Sequence, residues 1–265
     1  MAVCSFFFQV LIFFPAACAF VSRPSSTSHV GQLSKANGPH RSYIIYGDSL
    51  TGKATRGQVC MAIPAQDVQI RISDLNWKVV PDIWESLANV IPDKSMLVDP
   101  VHGDKVDLTF SQCNTLITTG AAAMQKLGVL PDECVSIFAE NSYKWLIADQ
   151  AIMKAGCCNS VRGALAPMDE LHYIYENSKS VGLVVESPSL LRKFFAPSDS
   201  VDGSEKSSSI GTPPRFVIVL FSQGMTGAEL AADAGISPDV KVLSYEEWLA
   251  SSKKDEFKPV PRDPT

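Results

Sequence analysis

The stretch Leu108–Glu170, LTFSQCNTLITTGAAAMQKLGVLPDECVSIFAENSYKWLIADQAIMKAGCCNSVRGALAPMDE, decides the fold. Read alone, it runs strand, helix, strand, helix, strand and the start of another helix. Ser111 is the expected N-cap of the first helix, and Gly128 stands where a left-handed C′ residue belongs. Leu116, Ala123 and Leu127 keep one apolar face on that helix. CVSIFA (Cys134–Ala139) is a short, apolar, β-rich run, the pattern of a strand covered on both faces. Asn141 or Ser142 can cap the second helix and Gly156 can end it, with Trp145, Ala148, Ile152 and Ala155 at helical spacing between them. Strands and helices alternating at this length predict an α/β fold, a layered and mostly parallel sheet with flanking helices and right-handed crossovers.

On the carboxyl side the pattern continues. Met168–Lys179 reads as a helix entered at Pro167, with Leu171, Ile174 and Tyr175 on one face. Val181–Glu186 (VGLVVE) and RFVIVLF read as buried strands, LLRKFFAP as a short helix, and KVLSYEEWLA as a strand followed by a helix. Residues 196–214 are polar and read as a surface linker or disordered loop, SQGMTG (Ser222–Gly227) as an ordinary surface loop, and 253–265 as a charged, Pro-rich connector. On the amino side, Asp82 opens a helix with Ile83, Leu87 and Val90 along one face, stopped by Pro92. MLVD and KVDLTF then read as two strands joined by a turn, in which His102 sits with Asp104 as a solvated turn residue. The folded body is expected over 75–252.

Bulk numbers narrow the function. In 265 residues, 46% are hydrophobic and 19% charged, the balance of a globular protein with a sizeable core. The net charge of −5 argues against a nucleic-acid or anionic-membrane surface. Of the 7 cysteines, Cys4 and Cys18 lie in the leader, leaving Cys60, Cys113, Cys134, Cys157 and Cys158. Their irregular spacing and the lack of a CxxC pair point to reduced core side chains, not to a disulfide framework or a zinc site. The vicinal pair Cys157–Cys158 is the one redox candidate.

Residues 1–19 (MAVCSFFFQVLIFFPAACA) have the apolar core and small-residue cleavage pattern of a signal peptide, cut between Ala19 and Phe20. Residues 20–74 open with Arg, Lys, Ser and Thr and no acid before Asp48, which is transit-peptide composition, and continue as a disordered linker. A signal peptide followed by a transit peptide resembles the two-part presequence of algae with secondary plastids, so a plastid location is expected. Secretion or the endoplasmic reticulum is the alternative. GDSLTGKA (Gly47–Ala54) fits only the first part of a phosphate-binding loop, because Ala54 follows Lys53 where Ser or Thr should hold magnesium.

LTFSQC resembles the first core motif of the AMP-forming acyl-activating (adenylate-forming) superfamily, and IMKAGCCNSVRGALAPMDEL resembles the second. FAENSYKWLIADQAIMKAG…NSVRG, followed by LHYIYENSKSVGLVVESP, is similar to the chloroplast and cyanobacterial branch of long-chain acyl-CoA/acyl-carrier-protein synthetases. The resemblance covers roughly Leu75 to Trp248. It implies the N-terminal portion of an adenylation domain, in which a fatty acid attacks the α-phosphate of ATP with Mg²⁺ present. Acyl-adenylate forms, pyrophosphate leaves, and the thiol of coenzyme A or of a carrier protein's phosphopantetheine takes the acyl group. The family handles phosphate through a Ser/Thr/Gly-rich loop ending in Lys-Gly, later acidic and aromatic motifs, and a Lys in a mobile C-terminal domain, none of which occurs in these residues.

Only scaffold motifs therefore carry over, with no catalytic and no metal-binding residue. Asn141, Trp145, Asp149 and Arg162 belong to the branch-like wording. Asn141 is read as a cap and Trp145 as core, while Asp149 and Arg162 are read as a buried or half-buried polar pair or as separate surface groups. Arg162, just past a strand end, is the single candidate for facing ligand. The resemblance implies a fatty acid and an acyl carrier protein as partners, no nucleic acid, and a peripheral association with membranes. Two other readings stay open: a binding or regulatory module retaining half of the scaffold, and a P-loop hydrolase centred on Gly47–Ala54.

Overall fold

The apolar runs of this chain stack side by side into one sheet, at whose centre lies β5 (Gly182–Val185), every residue of which is buried. The structure is a computed structural model and describes residues 75, 77–102, 106–196 and 210–261. The readings of the signal peptide, the Ala19/Phe20 cleavage, the transit peptide and the Gly47–Ala54 loop lie outside these residues.

Five parallel strands pair in the order β4-β3-β5-β6-β7, where β3 is Cys134–Phe138, β4 Cys158–Arg162, β6 Phe216–Val219 and β7 Lys241–Ser244. The expected parallel sheet is therefore present. A separate two-stranded antiparallel hairpin joins β1 (Ser95–Asp99) to β2 (Val106–Thr109). Alternating residues of the central strands feed two cores. Val184, Phe216 and Ile218 face the layer of α1 (Ile83–Val90), α2 (Phe110–Lys126), α3 (Tyr143–Lys154) and α7 (Tyr245–Ala250). Leu183, Val185, Val217 and Val219 face α4 (Met168–Asn177), α5 (Pro188–Phe195) and α6 (Gly227–Asp233). Helices on both faces are what an all-parallel sheet requires, because neither face can be left to water.

The helix boundaries follow side-chain chemistry. The cap of α2 lies two residues before the Ser111 read from the sequence. Thr109 is the N-cap, accepting from the Gln112 amide, while the Gln112 side chain returns to the Thr109 N–H in a capping box. Of the two candidates for α3, Ser142 is the cap and Asn141 is exposed. Gly128 (φ 78°) and Gly156 (φ 91°) take the left-handed conformation expected at the ends of these helices. Val90, assigned to the apolar face of α1, is 48% exposed; Trp84 fills that role instead, buried with its indole N–H donating to Gln150 Oε1 at 2.6 Å. Helix α6 follows SQGMTG, which is not a plain surface loop: Ser222 is buried, and Thr226 and Glu229 form the capping box of the new helix.

Two segments read as loose are partly docked. Past the undescribed part of the 196–214 linker, Ile210 is buried, Gly211 N–H donates to Glu176, and the Thr212 carbonyl accepts from the Tyr175 hydroxyl. At the carboxyl end, the backbone of Lys258 makes two hydrogen bonds to the Gln125 side chain of α2, at 2.7 and 3.0 Å. Val260 packs so near Gly156 that a Cβ on that glycine would lie 2.9 Å from it.

Gly182 sits hard against the next strand, where a Cβ would stand 2.1 Å from the Phe216 ring. Gly182→Ala is expected to destabilise the protein by about 1–3 kcal/mol, the usual scale for overpacking, because Phe216 is fully enclosed and cannot swing away. Urea unfolding followed by tryptophan fluorescence measures it, and an unchanged midpoint would show that the ring has room to move.

Candidate functional site

A strand order in which β4 lies on one side of β3 and β5 on the other creates a switch point. The loops after β3 and β5 part there, and ligands of doubly wound sheets bind at such a crevice, outside the carboxyl ends of the strands. Ser142 and Ser187 start α3 and α5 on either side, each hydroxyl accepting a backbone N–H of its own first turn. Across the crevice, the Glu140 N–H donates to the Glu186 carboxylate at 3.0 Å. Arg162 closes β4 at the same edge, in solvent. Its Nε donates to Glu170 Oε1 at 2.7 Å and its Nη2 to Oε2 at 3.3 Å, and this pairing raises its pKa.

Beside the switch point is a cluster that sequence reading did not find. Asp99, at the end of β1, accepts from the N–H groups of Val101, His102 and Tyr143 and contacts His102 Nδ1 at 2.8 Å. One carboxylate thus ties the hairpin to the first turn of α3. Burial raises the Asp99 pKa, but these hydrogen bonds favour the ionised form more strongly, and the net result is a fall from 3.8 to about 2. His102 is accordingly not a solvated turn residue: it stacks on Phe221, which follows β6, with centroids 5.0 Å apart. Next to them Lys144 is buried, donating to the Leu220 carbonyl at 2.9 Å and to Glu246. Its ammonium lies 5.0 Å from the Phe221 ring and 4.7 Å from the Tyr245 ring. An Asp–His pair is half of a nucleophile-activating triad, but among the described residues no hydroxyl or thiol is hydrogen-bonded to this histidine. The pair acts as a strut.

The four residues of the branch-like wording do not converge. Asn141 is exposed beyond β3, and Trp145 is half-buried in the first turn of α3 with its indole N–H unpartnered. Asp149 and Arg162 are not paired, and only Arg162 is a surface group, so neither reading of the two holds in full. Asp149 is buried in mid-helix, accepting from Gln150 at 2.8 Å and from the Asn159 side chain of β4. Burial lifts its pKa to about 6 against those hydrogen bonds. Trp84, Gln150, Asp149 and Asn159 thus form one hydrogen-bonded line from α1 to β4.

A cleft of about 720 Å³ lies elsewhere, between the start of α1, α2, the end of α3 and the carboxyl-terminal segment. Asn114, Thr118, Lys154, Glu85, Phe257 and Val260 are among its walls, and no strand residue lines it. The charges alternate, and Lys154 is 3.4 Å from Glu85. Among the described residues no three His, Cys, Asp or Glu side chains converge on a point, and in the Ser222–Gly227 loop Thr226 caps α6. Among the described residues no helix is long and apolar enough to cross a membrane.

With this geometry in place, comparison with known proteins identifies the class. The family model described as AMP-binding enzyme matches residues 84–264, and the chain belongs to that family. It is 42% identical over 127 residues, 48% of the chain, to the chloroplastic long-chain-fatty-acid–[acyl-carrier-protein] ligase AEE15 of Arabidopsis thaliana, covering 17% of that protein. To the probable acyl-activating enzyme 16, chloroplastic, of the same plant it is 36% identical over 152 residues, 57% of the chain and 20% of that protein. Among solved structures, the Mycobacterium tuberculosis fatty acyl CoA synthetase overlays 69% of the chain and 30% of its own, at 18% identity and a TM-score of 0.49. The chain thus spans about a fifth of the length of the curated relatives it matches.

Asp99 gives the testable consequence. Because its pKa is depressed, its contribution is fully present above 3.8 and is lost as pH falls through about 2. Asp99→Asn is expected to cost about 2 kcal/mol at pH 7, the equivalent of that shift. Denaturation at pH 7 and pH 2.5 checks it: the gap between wild type and variant must narrow at the lower pH, and a gap independent of pH would refute the assignment.

Proposed function

We propose that this chain forms the front part of the adenylating domain of a plastid fatty-acid ligase. That enzyme activates a long-chain fatty acid with ATP through an acyl-AMP and passes the acyl group to a thiol, that of an acyl carrier protein in preference to coenzyme A. The observation that carries the reading is the 42% identity over 127 residues to a chloroplastic fatty-acid–acyl-carrier-protein ligase. The crevice at the carboxyl edge of the sheet is where such a scaffold accepts ligand. Arg162 is the described cation at that edge with access to solvent, and it is the residue proposed to face ligand, exchanging Glu170 for it.

The test is a chimera in which residues 84–264 replace the corresponding stretch of the Arabidopsis ligase. It is expected to keep fatty-acid-dependent ATP–pyrophosphate exchange, while the 265-residue chain by itself shows none. A folded chimera that exchanges only with amino acids, or not at all, would overturn the proposal, as would exchange by the isolated chain. Within the chimera, Arg162→Ala is expected to raise KM for ATP or fatty acid with little change in unfolding midpoint, since a solvent-screened surface ion pair contributes little to stability.

A further inference from the structure

The sequence offers Cys157–Cys158 as its redox pair, but the fold separates those two side chains. Cys157 is buried, its Sγ 3.5 Å from the Leu130 carbonyl, whereas Cys158 opens the edge strand β4 and is exposed. The partner that the sheet gives Cys158 is Cys134. The two are register partners at the first positions of the parallel pair β3/β4. Register partners of parallel strands have Cα atoms about 4.8 Å apart, within the range of roughly 4.4–6.8 Å found across disulfides. Their Cβ atoms also leave the same face of the sheet. A second observation fixes that face: Cys134 Sγ is 3.2 Å from the Ser160 hydroxyl, and Ser160 lies two residues beyond Cys158 on β4. The Cys134 sulfur therefore already reaches across to the neighbouring strand, on the side where Cys158 projects. No further strand covers β4 among the described residues, so a small oxidant meets Cys158 directly.

We propose that Cys134 and Cys158 form a reversible dithiol–disulfide site at the amino-terminal end of the sheet, taking a small disulfide such as oxidised glutathione as its oxidant. The Cys158 thiolate attacks one sulfur of the small disulfide, expelling one thiol and leaving a mixed disulfide on Cys158. The Cys134 thiolate turns from Ser160 and attacks the Cys158 sulfur, and the second small thiol leaves. The protein loses two electrons and two protons, and the oxidant becomes two thiols. Partial desolvation of its sulfur, with Cys134 and Asp132 nearby, raises the Cys158 pKa, so the first step is slow and oxidation is complete only after long exposure. The bond draws two Cβ atoms closer than parallel strands ordinarily hold them, so a dithiol reductant reverses it readily.

The full chain, incubated with oxidised glutathione and then alkylated, tests this by intact mass and peptide mapping. The expected product carries a Cys134–Cys158 crosslinked peptide, has lost two hydrogens before alkylation, and reverts with dithiothreitol. Cys134→Ser should stop at the glutathione adduct on Cys158, Cys158→Ser should give neither adduct nor crosslink at this site, and Cys157→Ser should behave as wild type. A Cys157–Cys158 or Cys60–Cys158 bond, a stable glutathione adduct on the wild-type chain, or no oxidation at all would each overturn the proposal.

Discussion

Strand β5 can satisfy its backbone polar groups only through its two neighbours. All four of its residues are buried, and β3 and β6 take its ladder on either side. An unpaired N–H or C=O there would have no water to turn to, so the sheet must extend outward on both sides before the chain can stop. Its faces are equally closed, one by the α2–α3 layer and the other by α4 and α5, which is why β5 and β6 carry apolar residues at every position and not at alternate ones. Gly182 belongs to the same constraint: lacking a side chain, it leaves room for the Phe216 ring at the start of the next strand.

The second constraint acts at the carboxyl edge, where charge is withdrawn from water. A buried ammonium or carboxylate is tolerated only when its hydrogen-bonding capacity is filled. Lys144 meets that condition with a carbonyl, a carboxylate and aromatic faces, and Asp99 with three backbone N–H groups and an imidazole. Their partners come from several elements, so satisfying two charges joins the hairpin, α3, the exit of β6 and the start of α7. The same chemistry on the outer layer, the line Trp84–Gln150–Asp149–Asn159, joins α1 to β4. Because indole can only donate, the Gln150 oxygen must accept from it, and its amide is thereby turned toward the Asp149 carboxylate.

What was legible in the sequence is what depends on neighbours along the chain. The apolar runs at Cys134, Val181 and Phe216 announce buried strands, and glycines 128 and 156 announce helix ends, because burial and positive φ select residue types directly. The capping box Thr109-x-x-Gln112 was equally local, and Ser111 competed with it only because both are hydroxyl residues near a strand end. Helix α6 escaped because Gly, Ala and Asp dominate it and Leu230 alone marks its inner face. The edge cluster was not legible in the same way: Asp99 meets Tyr143 across 44 residues and Lys144 meets Glu246 across 102, distances over which no spacing rule operates. The odd cysteine count also concealed the register that sets Cys134 against Cys158.

The charge distribution at the carboxyl edge bears on what this face can hold. Glu140 and Glu186 flank the switch point, Glu170 and Glu246 pair with the cations of the same edge, and Asp99 stays ionised well below neutral pH. Those cations are already engaged, Arg162 by Glu170 and Lys144 by Glu246 and the Leu220 carbonyl. An anionic ligand approaching these loops meets a field of its own sign, and releasing Arg162 would offset only part of it. Binding a carboxylate or a polyphosphate here thus requires donors and cations beyond those on the described loops. The parallel sheet fixes the position of the crevice, while the described loops alone leave the charge of an anionic ligand largely unbalanced.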